Sequence, residues 1–485
     1  MTLQHPNTST PQHFLKMKDI SRRKFIGQAS CAALGSVTFL NTLMNLKSLN
    51  AAAISNSSVT NNSGYKALVC LFQSGGNDSF NMLMPRTTSR YNEYAATRTN
   101  LAVPLSDLLP INFTDASGYQ YGLNPSMPGL QGLFNSNKAA FVANVGTLVD
   151  YTNKTDFYNG TANLPLGLFS HSDQTQQWQT AILDERTAIG WGGKIADLIR
   201  DQNTNQNISM NISLSGTNIF QTGNSTVEYA MDPYNGPVGI SGYNPNAQWD
   251  FERLVTEGID GIMEHQYTDI FKKTYAETVI NARDAYVEIS AALDGFNGFS
   301  NASFGMSSVE LSFEQIAKAI AVRDTLGFQR QIFFIDYGGW DHHEGLQDHG
   351  PMLGDLDNGL VAFNAAMEEL GIADDVLTFS VSEFGRTLTS NGQGSDHAWA
   401  GNVFMMGGTN LLNGGEIYGT YPSLALNSSI DLGGGVLIPD TSADTYFAEV
   451  AKWFGVPDSD LSMLFPQLTN FYNIGSGAPI GFLNI

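Results

Sequence analysis

The strongest constraint on the fold is a run of six apolar residues, ALVCLF, at positions 67–72. A strand that is apolar at every position is buried on both faces, which is typical of a parallel sheet covered by helices. Similar runs predict further strands at 138–146, 331–336, 376–380 and 402–406. Amphipathic patterns predict helices at 312–326, 352–370 and 445–454. Because helix and strand alternate, we predict an α/β fold with a doubly wound, mostly parallel sheet flanked by helices.

Residues 200–300 interrupt this alternation. Positions 200–250 are rich in Asn, Ser, Thr, Gly and Tyr without a clear period, which predicts short strands and loops. A long helical pattern follows at 251–293, with a break expected around Gly258 and Gly261. We therefore predict a single α/β domain over residues 65–485, with an irregular and helical insertion at about 200–300.

The first residues of the chain have the features of an export signal. SRRKFI at 21–26 is a twin-arginine signature, followed by a weakly apolar run at 29–46 and three alanines at 51–53. We predict a signal peptide over 1–53, a polar linker over 54–64, and export by the twin-arginine machinery to the periplasm or the medium. An uncleaved amphipathic anchor is the alternative. The apolar run is shorter than the roughly 18 residues that span a bilayer, so no stable membrane span is expected in the mature form.

The charge of the chain limits its partners. Residues 1–53 hold six of the 24 basic residues and one of the 46 acidic ones, so the rest carries a formal charge of −27. This charge argues against binding nucleic acid or an anionic membrane surface. It would also repel phosphate or sulfate esters unless bound cations reverse the local field. Beyond residue 53 only Cys70 remains, so stability must come from a packed core and not from an internal disulfide.

Polar residues follow three of the predicted strands. The sequences are GGND at 75–78, GGWDHH at 338–343 and SEFGR at 382–386, and a loop adds SDH at 395–397. Carboxyl ends of neighbouring parallel strands meet at one edge of a sheet, where ligands bind in open α/β folds. Carboxylates and imidazoles together are the ligands of divalent metals. We therefore predict a metal-binding or polar active site, with His343 facing the same way as Asp341 and His342 facing away.

Two further positions have both a structural and a functional interpretation. Asp78 could cap a short helix instead of holding a metal. Ser170 and His171, in LFSHSDQ at 168–174, could cap the helix that follows. Alternatively they offer a nucleophile at a helix start, where backbone N–H groups stabilise an anion.

Four segments resemble one family: LVCLFQSGGND (68–78), RQIFFIDYGGWDHH (330–343), SEFGRT (382–387) and GSDHAWAGNVFMMGG (394–408). Together with the leader they are similar to the exported bacterial family known as domain of unknown function 1501, which is related to the alkaline phosphatase and sulfatase superfamily. The resemblance implies an alkaline-phosphatase-like fold and a two-metal ester hydrolase. It would place Asp78 and Glu383 on one metal, Asp341, His343 and His397 on the other, and Ser170 near the nucleophile position with His171 beside it.

The chain departs from that pattern after the predicted strand at 376–380 and around Ser170, where the Ser/Cys-x-Pro-x-Arg signature of ordinary sulfatases is missing. Phosphatases of the superfamily have Asp-His-Gly where this chain has Glu383-Phe384-Gly385, so one imidazole ligand is absent. One or two divalent ions (Zn, Mn, Ca or Mg) are therefore expected. The main hypothesis is an exported metal-dependent hydrolase acting on small-molecule or glycan phosphate or sulfate esters. The alternatives are a non-catalytic, metal-stabilised envelope binding protein on the same scaffold and, less favoured, an adhesion or assembly protein using residues 200–250.

Overall fold

The computed structural model describes residues 64–485, so the predicted signal peptide and nearly all of the predicted linker lie outside the described residues. The strands are β1 (Lys66–Phe72), β2 (Leu83–Pro85), β3 (Leu109–Thr114), β4 (Gln120–Leu123), β5 (Ala139–Gly146), β6 (Asn211–Ser213), β7 (Tyr229–Asp232), β8 (Gly236–Pro237), β9 (Arg330–Asp336), β10 (Val376–Val381), β11 (Gly401–Met406), β12 (Ile417–Tyr418) and β13 (Thr441–Ser442). The α-helices are α1 (Thr88–Arg98), α2 (Pro128–Asn135), α3 (Lys154–Asn159), α4 (His171–Thr180), α5 (Trp191–Ile199), α6 (Asp250–Met263), α7 (Ile270–Asp294), α8 (Ser308–Ala321), α9 (His349–Glu369), α10 (Ala443–Phe454) and α11 (Leu461–Leu464).

A ten-stranded mixed sheet organises the described residues. Its order is β12-β5-β11-β10-β1-β9-β6-β7-β8, with β13 also paired to β5, and a separate sheet holds β2, β4 and β3. The five strands from β10 to β7 run parallel, whereas β11 is antiparallel to both β10 and β5. The predicted α/β class and mostly parallel sheet are therefore confirmed.

Strand β1 lies at the centre of the sheet, between β10 and β9. Apart from its first residue, its side chains are buried, as its apolar sequence predicts. Phe72 at its end is in register with Val381 of β10 and with Asp336 of β9. All three strands thus end at the same level, and the polar segments that follow them begin at one edge of the sheet.

The insertion at 200–300 differs from the expectation in two respects. Two of its short strands, β6 and β7, extend the main sheet by parallel pairing beside β9. The helical pattern breaks after Met263, where α6 ends, and not at Gly258 or Gly261, which lie within that helix. Both glycines have open space around their Cβ positions, and a glycine in a solvated helix costs only about 1 kcal/mol relative to alanine.

Local signals fix where the other helices start. Helix α8 begins four residues earlier than its apolar pattern predicts, because Ser307 and Glu310 form a reciprocal capping box at its first turn. Helix α4 begins at His171, and the side chain of Ser170 caps it. Within residues 64–485, none of the helices combines the length and the apolar character needed to cross a bilayer.

Candidate metal centre

Glycines let the strand-end loops approach one another closely. Gly75 and Gly76, directly after β1, have φ angles of +117° and +86°, which glycine adopts readily and other residues rarely. A Cβ atom on Gly75 would lie 2.4 Å from the backbone nitrogen of Asp341. A Cβ on Gly76 would lie equally close, at 2.4 Å, to the ring of Phe384. The loops after β1, β9 and β10 therefore pack directly against each other.

Three imidazole rings converge on the carboxylate of Asp341. The Nε2 atom of His343 lies 3.1 Å from Oδ1 of Asp341, and that of His397 lies 3.4 Å from the same oxygen. The Nε2 atom of His171 lies 3.4 Å from Oδ2. Ligand atoms of His171, Asp341 and His397 all lie within 4.8 Å of one another. The side chains stay partly exposed, so the cluster is open to solvent.

Each ring is held through its other nitrogen by an oxygen atom. Nδ1 of His397 donates to the backbone carbonyl of Phe169 at 2.9 Å, which requires the proton on Nδ1 and leaves a lone pair on Nε2 of the neutral ring. Nδ1 of His171 contacts Oε1 of Glu383 at 2.9 Å, and Nδ1 of His343 contacts Oδ1 of Asp396 at 3.0 Å. Histidines that ligate metals are usually oriented in this way.

The two Nε2 atoms of His343 and His397 lie only 2.9 Å apart. When both rings are neutral and carry the proton on Nδ1, no hydrogen is available between these atoms, and the two lone pairs face each other. A cation bound by both nitrogens and by Asp341 would remove that repulsion. The donor set therefore fits a divalent ion.

Charges around the cluster shift its protonation equilibria. The hydrogen bond to Glu383 raises the pKa of His171, whereas partial burial lowers the pKa of His397. Burial by itself would raise the pKa of Asp341, but the hydrogen bond and charge of Arg386 outweigh it and hold that pKa below its ordinary value. Asp341 is thus a carboxylate near neutral pH, which is the form that binds metal.

Arg386 connects the three loops beneath the cluster. Its side chain is fully buried and forms an ion pair with Asp341. Its Nε donates to the backbone carbonyl of Gly76 at 2.8 Å and its Nη1 to that of Ser395 at 3.0 Å. Its Nη2, the nitrogen that pairs with Asp341, also contacts the carbonyl of Trp340 at 3.2 Å and that of Gly75. One guanidinium therefore binds the loops after β1 and β9 and the loop of Ser395 to the segment that follows β10.

The structure brings together four of the five predicted metal ligands, but one of them, Glu383, is not arranged as a ligand. Asp341, His343 and His397 share one point, as expected. Glu383 lies behind His171, where it also accepts a hydrogen bond from Gly75 N at 2.7 Å. This geometry favours His171 as a ligand and Glu383 as the residue that orients it, whereas the resemblance implied Glu383 as a ligand and placed His171 beside the nucleophile.

Asp78 lies apart from the cluster. It is buried, and its carboxylate forms an ion pair with Arg98 at the end of α1. It precedes the short 3₁₀ helix Ser79–Asn81 but makes no side-chain capping bond to it, so the capping interpretation is wrong. His342 and His349 are buried nearby, and Nε2 of His349 contacts Oδ1 of Asn77 at 3.0 Å.

Ser170 occupies the N-cap position of α4, directly before His171. Its hydroxyl oxygen accepts weakly from the backbone N–H of Asp173, at 3.5 Å, and lies 3.1 Å from Oγ of Ser172. Phe169, the preceding residue, has a φ of +73°, which is strained for a residue other than glycine. Both predicted catalytic residues thus lie at one helix start, and His171 reaches the carboxylate of Asp341.

Sequence reasoning missed two arginines that pair with predicted site residues. Arg386 follows the Glu-Phe-Gly segment directly after β10, so its position at the sheet edge was a usable signal. Arg98 lies in helix α1, twenty residues beyond Asp78, and nothing in the local sequence marks it.

The class defined by this fold and site is an α/β protein with a cluster of three imidazoles and a carboxylate at the carboxyl edge of its parallel strands. Residues 275–436 match the model of the family described as "Protein of unknown function (DUF1501)", which confirms the predicted resemblance over this part of the chain. The matched part contains Asp341, His343 and Glu383, together with His397. No curated protein sequence matches the chain significantly.

Several solved structures are similar in fold. A sulfatase from Pseudoalteromonas sp. is 9% identical with a TM-score of 0.33, and the match covers 84% of this chain and 71% of that one. The lipoteichoic acid synthase LtaP from Listeria monocytogenes is 11% identical with a TM-score of 0.29, covering 80% and 81%. The lipooligosaccharide phosphoethanolamine transferase A from Neisseria meningitidis is 9% identical with a TM-score of 0.28, covering 88% and 67%.

Proposed function

We propose that the protein is a metal-dependent hydrolase acting on phosphate or sulfate esters. The observation that carries this proposal is the convergence of three Nε2 atoms, from His171, His343 and His397, on the carboxylate of Asp341. Each of these rings is held at Nδ1 by an oxygen atom. Such an arrangement leaves the second nitrogen of each ring available to a cation.

The composition of the cluster favours certain metals. Three imidazole nitrogens and one carboxylate suit a borderline ion such as Zn²⁺ better than Ca²⁺ or Mg²⁺, which prefer oxygen ligands. A bound ion would polarise an ester oxygen and offset negative charge on the substrate. Glu383 would keep the His171 ring oriented, and Arg386 would keep the Asp341 carboxylate ionised and in place.

Anionic esters are the substrates that this site would attract. The chain is strongly acidic overall, but helix α4 begins at His171, and the N-terminus of a helix carries partial positive charge. Together with a bound cation, it would create a local positive field in an otherwise repulsive surface. Ser170 is the proposed nucleophile, since its hydroxyl lies at this helix start and is only weakly held by Asp173.

Export is part of the proposal and rests on the leader sequence. SRRKFI at 21–26, followed by a weakly apolar run, supports transfer by the twin-arginine machinery to the periplasm or beyond. That pathway carries folded proteins, so the ion could be bound before export. The substrate would then be an ester of a small molecule or a glycan met outside the cytoplasm.

Hydrolysis of 4-nitrophenyl phosphate and 4-nitrophenyl sulfate tests the proposal. Protein stripped with EDTA should be inactive, and activity should return with Zn²⁺ or Mn²⁺. Asp341→Asn should abolish that return, whereas His265→Ala, which changes an exposed histidine outside the cluster, should not. Failure to hydrolyse a broad panel of phosphate and sulfate esters with the ion demonstrably bound would refute the proposed reaction.

A metal-stabilised binding protein on the same scaffold is the second candidate. The observation in its favour is Phe384, whose ring packs on His397 and His171 with centroid distances of 4.4 and 4.9 Å. An aromatic ring at this point supplies packing and no ligand. This alternative predicts that chelation lowers the melting temperature, because the ion binds only the folded state, while no ester is hydrolysed.

A further inference from the structure

We propose that the centre binds a single metal ion, and that the buried guanidinium of Arg98 provides the positive charge of a missing second ion. The inference rests on the proposed function, since it concerns the ion count of the same site. The resemblance to phosphatases implies two ions, with Asp78 and Glu383 as ligands of one of them. In this chain, neither Asp78 nor Glu383 is positioned to bind a second ion.

Asp78 is committed to a protein cation. Its carboxylate forms an ion pair with Arg98, and both side chains are essentially inaccessible to solvent. The guanidinium is fixed from the other side, because its Nη1 donates to the backbone carbonyl of Thr387 at 2.9 Å. A divalent ion on Asp78 would lie beside this charge in a poorly screened interior, where like charges repel strongly.

Glu383 is committed to the single-ion cluster. Its Oε1 atom accepts from Gly75 N at 2.7 Å and contacts Nδ1 of His171 at 2.9 Å. Moving this oxygen onto a second ion would release the ring of His171. The carboxylate therefore supports the ligand set described above instead of a separate one.

One oxygen each of Asp78 and Glu383 has no hydrogen-bond partner among the described residues. Two such oxygens do not make a metal site without further ligands. Among the described residues, neither Asp78 nor Glu383 belongs to a group of three or more ligand atoms that lie within 4.8 Å of one another. The additional ligand that phosphatases place after the strand is replaced by Phe384.

Phe384 also takes up space next to the cluster. Its ring lies against His397 and His171, on the side toward the loop of Gly76. The buried side chain is 2% exposed, so it is part of the packed floor of the site. Arg98 thus supplies a positive charge in place of a second ion. Glu383 is already bonded and is not a free carboxylate ligand, and Phe384 stands where phosphatases have an imidazole ligand.

This arrangement predicts a difference in metal dependence. The charge that Arg98 supplies is permanent, because a guanidinium does not lose its proton in proteins. Asp78 therefore stays neutralised whatever the metal supply. Asp341 is also paired with a guanidinium, that of Arg386, but its carboxylate is 44% exposed and faces the three imidazoles, so it remains accessible to an ion. Removal of the ion from Asp341 and its histidines should therefore leave the Asp78–Arg98 ion pair unchanged.

Metal stoichiometry of the full chain tests the inference without relying on activity. Apoprotein is titrated with Zn²⁺ and examined by native mass spectrometry and by elemental analysis. We expect one ion per chain in the wild type and in Asp78→Asn, with dissociation constants that agree within about threefold. Asp341→Asn should bind none. Two ions in the wild type, or one fewer in Asp78→Asn than in the wild type, would overturn the inference.

A double variant guards against misfolding of Asp78→Asn, which leaves Arg98 unpaired. Asp78→Leu/Arg98→Met removes both charges together, a change that buried ion pairs commonly tolerate. It should still bind one Zn²⁺ per chain. Two ions in the wild type would contradict only the inference and leave the proposed hydrolase intact. No ion bound by the folded wild type, with Zn²⁺ or Mn²⁺, would refute both.

Discussion

The backbone carbonyl of Phe169 accepts a hydrogen bond from Nδ1 of His397 at 2.9 Å. Phe169 adopts a φ of +73°, a conformation that costs a residue with a side chain on the order of 1–3 kcal/mol. This strained residue directly precedes Ser170, the cap of helix α4. The turn that starts the helix therefore also sets the tautomer of a histidine more than two hundred residues away.

His397→Ala should weaken Zn²⁺ binding by at least about 100-fold, because one of the converging nitrogens is lost. The variant also lacks the lone-pair repulsion between His397 and His343 that a bound cation would relieve. Competition with a chromophoric chelator measures the dissociation constant. His265→Ala is the matched control, since that imidazole is exposed and lies outside the cluster. Unchanged affinity in His397→Ala would show that the ion binds elsewhere.

Glu383→Gln should lower the affinity for Zn²⁺ by about 10- to 100-fold, as is typical for residues that orient a ligating histidine. The amide oxygen can still accept from Nδ1 of His171, but the negative charge that raises the pKa of this ring is gone. Asp336→Asn serves as the control, because this carboxylate also ends a strand of the sheet but bonds to Ser74. Equal losses in the two variants would argue against a specific orienting role.

Ser170→Ala should abolish ester hydrolysis while leaving Zn²⁺ binding intact. It should also destabilise the protein by about 1 kcal/mol, because the N-cap of α4 is lost. Ser172→Ala, two residues on and exposed, should retain activity. Turnover at the wild-type rate in Ser170→Ala would exclude Ser170 as the nucleophile, and ion content measured on the same samples would separate this from loss of the metal.

His349 should contribute to unfolding in acid. Burial lowers its pKa to about 4 in the folded protein, whereas the ordinary value is 6.5. A depressed histidine pKa means that the stabilising contribution is present above pH 6.5 and is lost as the pH falls through about 4. His349→Gln should therefore lose less thermal stability between pH 7 and pH 4 than the wild type.

Melting temperatures measured by circular dichroism across that pH range check the prediction. The charged groups facing His349 are Asp78, which favours its protonated form, and Arg98, Arg386 and His342, which oppose it. If the melting temperatures of the two proteins fall in parallel, groups other than His349 cause the loss of stability in acid. The comparison uses the change with pH, so a constant offset from lost packing does not affect it.

The sequence was most informative where strands are apolar throughout. Continuous runs identified β1, β9 and β10, and the residues after them were expected at one edge because parallel strands end together. The structure places β1 between the other two strands, which confirms that expectation. By contrast, β6 and β7 are only three and four residues long, too short for a pattern to reveal that they join the same sheet.

The roles of individual side chains depended on contacts that no local pattern contains. His171 and Glu383 were both expected near the ions, but which of them faces the cluster depends on how two distant loops meet. Arg98 neutralises Asp78 from a helix whose sequence gives no sign of it. Spacing predicts which residues share a sheet edge, and only the packed loops decide which of them remain available to a metal.

Arg386 binds the carbonyls of the loops around the site and the carboxylate of Asp341 with the same side chain. These bonds need no ion, so the ligands are held near their positions beforehand and little ordering entropy is lost when the ion enters. Metal sites that form only on folding behave oppositely, since the chain unfolds when the ion leaves. Here the finished fold would exchange the ion with its surroundings, and the metal content of the compartment would set what fraction of the protein is loaded.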